Sequence, residues 1–148
     1  MDLAFLLAHA SHVLSTELTA ELAGLGITPR DNCVLSAALT GEKTQIQLAE
    51  TCGLDKTTMV VTVDELEKAG LVERQTSPVD RRARIIVVTP HGREVRAKAA
   101  DVVARVYEDV LSALPDGERD GLIRGLTRLV DSRLSTPVAC QRAPRRRT

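Results

Sequence analysis

A mainly α-helical fold with one small β-hairpin set among the helices is what this sequence predicts, on three observations. Apolar residues recur at helical spacing through most of the 148 positions. Only two short runs, Leu71-Val72-Glu73-Arg74 and Ile85-Ile86-Val87-Val88, have strand character, and a polar, arginine-rich turn joins them. Helix-start signals, a Thr or Asp followed by proline or by a polar partner three residues on, recur between the apolar stretches.

Each element follows from these signals. Leu3, Leu6, Leu7, Ala10, Val13, Leu14, Leu18 and Leu22 predict a first helix over residues 3–23, which Gly24-Leu25-Gly26-Ile27 breaks. Thr28-Pro29-Arg30-Asp31 supplies a cap, a first-turn proline and an acid three residues after the cap, opening a second helix to about Leu39. Thr44 and Gln47 form a capping box for a short third helix that ends at Cys52-Gly53. Asp55 caps a fourth helix, which runs to Ala69-Gly70. The hairpin comes next. Thr89-Pro90 then opens a long helix bearing Val95, Ala99, Val102, Val103, Val106, Val110, Leu111 and Leu114. Pro115-Asp116-Gly117 ends it, and a last helix carries Leu122, Ile123, Leu126, Leu129, Val130 and Leu134.

Helix, short helix, helix, hairpin is the order of a winged helix-turn-helix. The expected organisation places that unit at residues 28–89 and a linking helix at 90–111. Residues 1–25 and 112–135 supply N- and C-terminal dimerisation helices, and 136–148 form a flexible basic tail. The flanking helices are too apolar to stand alone around so small a domain, so a homodimer that shares them is the expected way to bury that surface.

Composition narrows the function. Phe5 and Tyr107 are the only Phe, Tyr or Trp residues, which disfavours a base-stacking platform for single strands. The net charge is zero, yet residues 74–98 hold seven Lys and Arg against Asp80 and Glu94. A local basic patch on a neutral chain points to an anionic partner. Cys33, Cys52 and Cys140 are an odd set without CxxC spacing, so neither a disulfide framework nor a zinc site is indicated, and no metal or cofactor is expected. No leader-like or membrane-length apolar run is present, and a reducing cytoplasm is the expected setting, with no membrane partner.

The patch and the fourth helix together predict double-stranded DNA as the partner. Helical spacing puts Met59, Val63, Leu66 and Gly70 toward the core and Thr57, Val60, Val61, Asp64 and Lys68 on the opposite face. Two outward valines suit thymine methyls in a major groove, while Thr57 bonds a base edge or phosphate. Lys56 and Thr58 occupy the first turn, where free N–H groups and the helix dipole favour phosphate. Arg81, Arg82 and Arg84 crowd three cations into four positions of the wing. An arginine at that tip can enter a narrow minor groove, with Asp80 two residues before Arg82 to hold its guanidinium. Arg84 and Arg74 are placed to meet flanking phosphates.

The run from Asp55 to Arg74, then Asp80-Arg81-Arg82-Ala83-Arg84 and Val88-Thr89-Pro90-His91-Gly92, resembles the MarR family of bacterial transcriptional regulators. An aspartate–any–arginine wing followed by a threonine–any–any–glycine helix start is the specific part, and element order matches from about residue 3 to 134. The resemblance implies a homodimeric regulator, more often repressor than activator, released by a small-molecule effector, and dimer symmetry implies a near-palindromic operator. It makes Arg82 the minor-groove arginine and residues 56–61 the major-groove reader. It also implies an effector or oxidant site between the DNA lobe and the dimer helices, for which His9, His12, Val13, Asn32 and Cys33 are the candidates. Thr62 and Asn32 depart from the family pattern, which has a large aliphatic and often an aromatic there. Asn32 thereby counts against an aromatic-ligand pocket.

Other readings attach to the same residues. Cys33 lies near a helix start and three residues after Arg30, which favours thiolate and a redox-responsive regulator of the same fold. Cys52 reads as a small packing residue. His9 and His12 share a helix face at a spacing that can bind metal, but no further ligand is evident. A winged-helix dimerisation module without DNA binding is a further alternative, against which the wing arginines speak. An enzyme using Cys33 as nucleophile lacks an oxyanion loop and an acidic orienter.

Overall fold

The computed structural model describes residues 1–136, so the tail bearing Cys140 and Arg142, Arg145, Arg146 and Arg147 lies outside the described residues. Six α-helices and three short strands run in the order α1 (Leu3–Leu22), α2 (Pro29–Ala38), β1 (Lys43–Thr44), α3 (Gln45–Cys52), α4 (Lys56–Lys68), β2 (Val72–Thr76), β3 (Arg84–Val88), α5 (Pro90–Ser112) and α6 (Asp116–Val130). This is the mainly α, winged helix-turn-helix architecture expected from the sequence.

The caps are where the sequence places them. Thr28 accepts the Asp31 amide at 3.1 Å while the Asp31 carboxylate accepts the Thr28 amide at 2.8 Å, and Pro29 opens the helix. Thr44 and Gln47 make the same reciprocal pair on α3. Asp55 accepts the Thr58 amide at 2.8 Å at the start of α4. Each pair satisfies backbone donors that a helix start otherwise leaves bare. Gly26, Gly53 and Gly70 take left-handed φ values of 70°, 64° and 74° and turn the chain out of its helical segments. Gly70 therefore lies past the end of α4, exposed, and not on its core face as the spacing had suggested.

Asp55 also gives α4 a pH dependence. Its carboxyl is held below the ordinary value, first by the Thr58 hydroxyl and then by the Thr58 amide. A lowered folded value means the stabilisation is present above the free-carboxylate range and disappears as pH falls through the folded value. In a pH series of urea unfolding, the wild type should lose stability below about pH 4 more steeply than Asp55→Ala. Parallel acid limbs for the two proteins would remove the cap from this account.

Two departures concern the sheet and the last helix. The hairpin gains a third strand, since β1 pairs with β3 (Lys43 opposite Ile86, Thr44 opposite Ile85) in the order β1-β3-β2. Two residues are too few to alternate, and Thr44 already served as a helix cap, so no sequence signal marked that strand. The last helix stops at Val130, and the Leu134 amide instead reaches back to the Leu129 carbonyl at 2.8 Å.

The chain forms two compact units, Met1–Tyr107 and a second from Glu108 onward. In the first, Leu22, Val34, Leu35, Leu48, Met59, Val63, Leu66, Val72 and Ile86 form a core at 2% exposure or less. Thr62 joins them at 2%, and its hydroxyl donates to the Thr58 carbonyl at 2.8 Å, so the departure from an aliphatic leaves no unpaired polar atom. In contrast, every residue from Met1 to Val13 is exposed, Leu3, Phe5, Leu6 and Leu7 among them. The second unit buries no residue of α6, and Leu122, Ile123, Leu129 and Val130 face outward.

Candidate nucleic-acid interface

The fourth helix presents the face its spacing predicts. Met59, Val63 and Leu66 are buried, while Lys56, Thr57, Asp64 and Lys68 are exposed. Val60 and Val61 are 41% and 49% exposed, which rules out a one-residue slip of phase that would have made them core. Two adjacent wet valines cost hydration free energy in the free protein, and a partner with apolar projections recovers it.

The hairpin lies against this helix through Arg74 of β2. Its guanidinium pairs with Asp64 and Glu67 of α4 and donates to the Gln45 side chain of α3 at 3.2 Å. The Arg74 amide donates to Glu67 at 3.1 Å as well. Partial burial pulls the guanidinium pKa down, but the two carboxylates outweigh it and the net shift is upward. Arg74 was expected to face a phosphate. Here it is committed internally, because strand pairing brings the root of the wing over two acids on α4.

The wing tip is ordered by its own polar groups. The Ser77 hydroxyl accepts the Val79 and Asp80 amides at 3.2 and 3.3 Å, and the Ser77 amide donates to the Ala83 carbonyl at 3.0 Å. Asp80 accepts the Arg82 backbone amide at 2.9 Å. The sequence suggested that Asp80 would hold the Arg82 guanidinium. It holds the main chain instead, since two residues of separation form a tight Asx turn. Arg81, Arg82 and Arg84 are all exposed, and none has a carboxylate partner among the described residues.

Thr58 also has a different role from the one expected. Its amide and its hydroxyl, at 2.7 Å, both go to Asp55, so it closes the cap and is not free for phosphate. The helix-start donors and Lys56 remain beside it.

The candidate effector residues lie outside two cavities of the first unit. One cavity of about 320 Å³ is lined by Leu39, Glu42, Gln75, Ile85, Val88 and Arg93 among others, and a second of about 160 Å³ by residues of α3 and α4. Neither includes His9, His12, Val13, Asn32 or Cys33. His9 and His12 are exposed, His9 stacks on Phe5 at 5.5 Å, and among the described residues no group of three metal-ligating side chains occurs. Val13 is 47% exposed. Asn32 is half-buried, with its side-chain oxygen enclosed and without a partner among the described residues. Cys33 is exposed, and Cys52 is half-buried against the core. Burial pushes the Cys52 thiol up to about 12, and hydrogen bonding with Cys33 adds to the rise, so Cys52 stays protonated at neutral pH.

A residue the sequence reading passed over is Ile46, on the second position of α3 and 57% exposed. Its isolated place between Gln45 and Gln47 was the available signal.

A MarR family sequence model matches residues 25–83. A putative transcriptional regulatory protein for the hcr operon of Thauera aromatica is 37% identical over 94 residues. That match covers 64% of this chain and 57% of the relative, so it spans little more than half of the relative's length. CouR from Rhodococcus jostii RHA1, bound to p-coumaroyl-CoA, superimposes with a TM-score of 0.81 at 29% identity, over 95% of this chain and 96% of that one. The transcriptional repressor CouR bound to a 23-mer DNA duplex gives 0.79 at 30% identity, over 87% of this chain and 92% of that one. No described helix is long and apolar enough to cross a membrane.

An outward recognition helix beside a cationic wing defines the class, a winged helix-turn-helix transcription regulator with no enzymatic role. The chain belongs to the MarR family.

Proposed function

We propose that this protein is a homodimeric, sequence-specific repressor that binds a near-palindromic operator and is released by a small-molecule effector. One observation carries the DNA reading: Thr57, Val60 and Val61 face solvent on a helix to which Arg74 fastens the wing, and that wing ends in exposed Arg81, Arg82 and Arg84, which have no carboxylate partner among the described residues. The apolar faces left bare on α1 and on α6 support a second copy as their partner. Dimer symmetry then places half-sites about one helical turn apart, ~10 bp. The bound states of CouR support duplex DNA and an acyl-CoA thioester as ligand classes to try first.

The test is selection of bound duplexes from a random library with the full chain, followed by sedimentation of the complex. A palindromic consensus bound by two chains is expected, with release by an acyl-CoA thioester. Recovery of no consensus at low salt overturns the reading.

A second reading, control by thiol oxidation, is favoured by the exposed Cys33 thiol, which adds to the burial-raised pKa of Cys52 on the next helix. Operator affinity of the wild type and of Cys33→Ser, each with and without a hydroperoxide, separates the two. A wild type indifferent to the oxidant excludes the thiol switch.

A further inference from the structure

The cavity of about 160 Å³ lies where α3 meets the start of α4. Met59 and Ala49, at 0% and 5% exposure, form its floor, and Ile46 and Val60, at 57% and 41%, its walls. Gln45 and Lys56 complete the rim. The polar neighbours of Ile46 are occupied elsewhere: Gln45 accepts from Arg74 at 3.2 Å, and Gln47 accepts the Thr44 amide at 2.9 Å. The walls and floor of the notch are apolar, with the Gln45 amide and one ammonium at its edge.

An occupant has to bring a small apolar group and an anion close together. Duplex DNA does so, because the thymine 5-methyl projects into the major groove within reach of the backbone phosphates that Lys56 can neutralise. The notch adjoins Val60 on the outward face of α4, so a duplex read by that face passes over it. In the free protein, Ile46 and Val60 stay wet, and a methyl seated between them withdraws apolar surface on both sides from water.

We propose that the notch walled by Ile46 and Val60 is a thymine-methyl receptor, which fixes one T·A pair in each half-site of the operator. The assignment rests on the DNA-binding reading above and adds the residue, Ile46, and the base that it specifies. Cytosine is disfavoured there because it has no 5-methyl to bury and would set its amino group against the aliphatic carbons of Ile46 and Val60.

The experiment uses the full chain and a duplex obtained by selection, with each thymine replaced in turn by deoxyuridine. That exchange removes one methyl and keeps every base-pairing group. One position per half-site is expected to weaken binding by about three- to fivefold, the ratio for returning one methyl to water. Ile46→Ala and Val60→Ala should each bind the thymine and uracil duplexes within about twofold of one another. Ile46→Val should keep most of the difference. Both side chains are exposed, so the variants should fold, which circular dichroism checks.

Equal affinity for all uracil duplexes assigns the notch to some other occupant and overturns the proposal. So does a methyl effect that persists in Ile46→Ala, since Val60 or Val61 alone would then account for it. A chain that binds no duplex overturns the regulator reading itself. That outcome differs from tight binding without a methyl effect, which removes only the notch.

Discussion

Arg82→Ala is expected to weaken binding of a selected operator by about ten- to a hundredfold near physiological salt, with the fold and dimer unchanged. An arginine that reaches into a narrow minor groove also displaces counterions. The slope of log affinity against log salt should therefore fall by about 0.9 for each arginine, or nearly two for a dimer. Folding is insulated from the change, because the tip is held by Ser77 and by the Asp80 carboxylate on the Arg82 main chain, and alanine keeps that amide. The guanidinium, by contrast, has no carboxylate partner among the described residues whose loss would blur the result. Gel-shift titrations at several salt concentrations measure both quantities. Identical curves for wild type and variant would discard the wing as a DNA-contacting element.

Gly92→Ala should be the most damaging single methyl in the chain, at about 3 kcal/mol of stability. A Cβ at this position would meet the Leu71 carbonyl oxygen at 2.0 Å and the Val88 side chain at 2.8 Å. That carbonyl already accepts the Thr89 amide at 3.0 Å, and the Thr89 hydroxyl donates to the Gly70 carbonyl while it caps the Gly92 amide at 3.0 Å. The start of α5 is thus pressed onto the base of the wing with no room for a side chain. This gives the threonine–any–any–glycine signature a physical basis: the hydroxyl ties two segments and the glycine lets them meet. Gly117→Ala, where nothing lies within 4 Å of the added carbon, is the control and should unfold no earlier than wild type. Urea unfolding of both settles the matter, and equal midpoints would contradict the packing described for Gly92.

Most of the fold was legible because its signals are local. Thr28, Thr44, Asp55 and Thr89 act within three residues of themselves, and the period of Met59, Val63 and Leu66 needs only one helix to be read. What escaped depends on segments distant in sequence. The pairing of Lys43 with Ile86 spans a long loop-and-helix connection. Arg74 looked like a phosphate contact because its partners, Asp64, Glu67 and Gln45, approach only once β2 lies along α4. The roles of Asp80 and Thr58 were half legible. Their positions in a turn and a cap could be read, but which donor each would take depends on backbone geometry. The influence of Cys33 on the Cys52 thiol likewise crosses between two helices that no periodicity relates.

The Arg74 clasp has a consequence for control. With one guanidinium holding the root of the hairpin to both helices of the reading motif, tip and groove helix travel as a single rigid body. On the dimeric, effector-released reading proposed above, an inducer would have little leverage over the grip of either half on its own stretch of duplex. The span between two such bodies would be what it adjusts, and the signal would be transmitted as a mismatch of length against the pitch of the double helix.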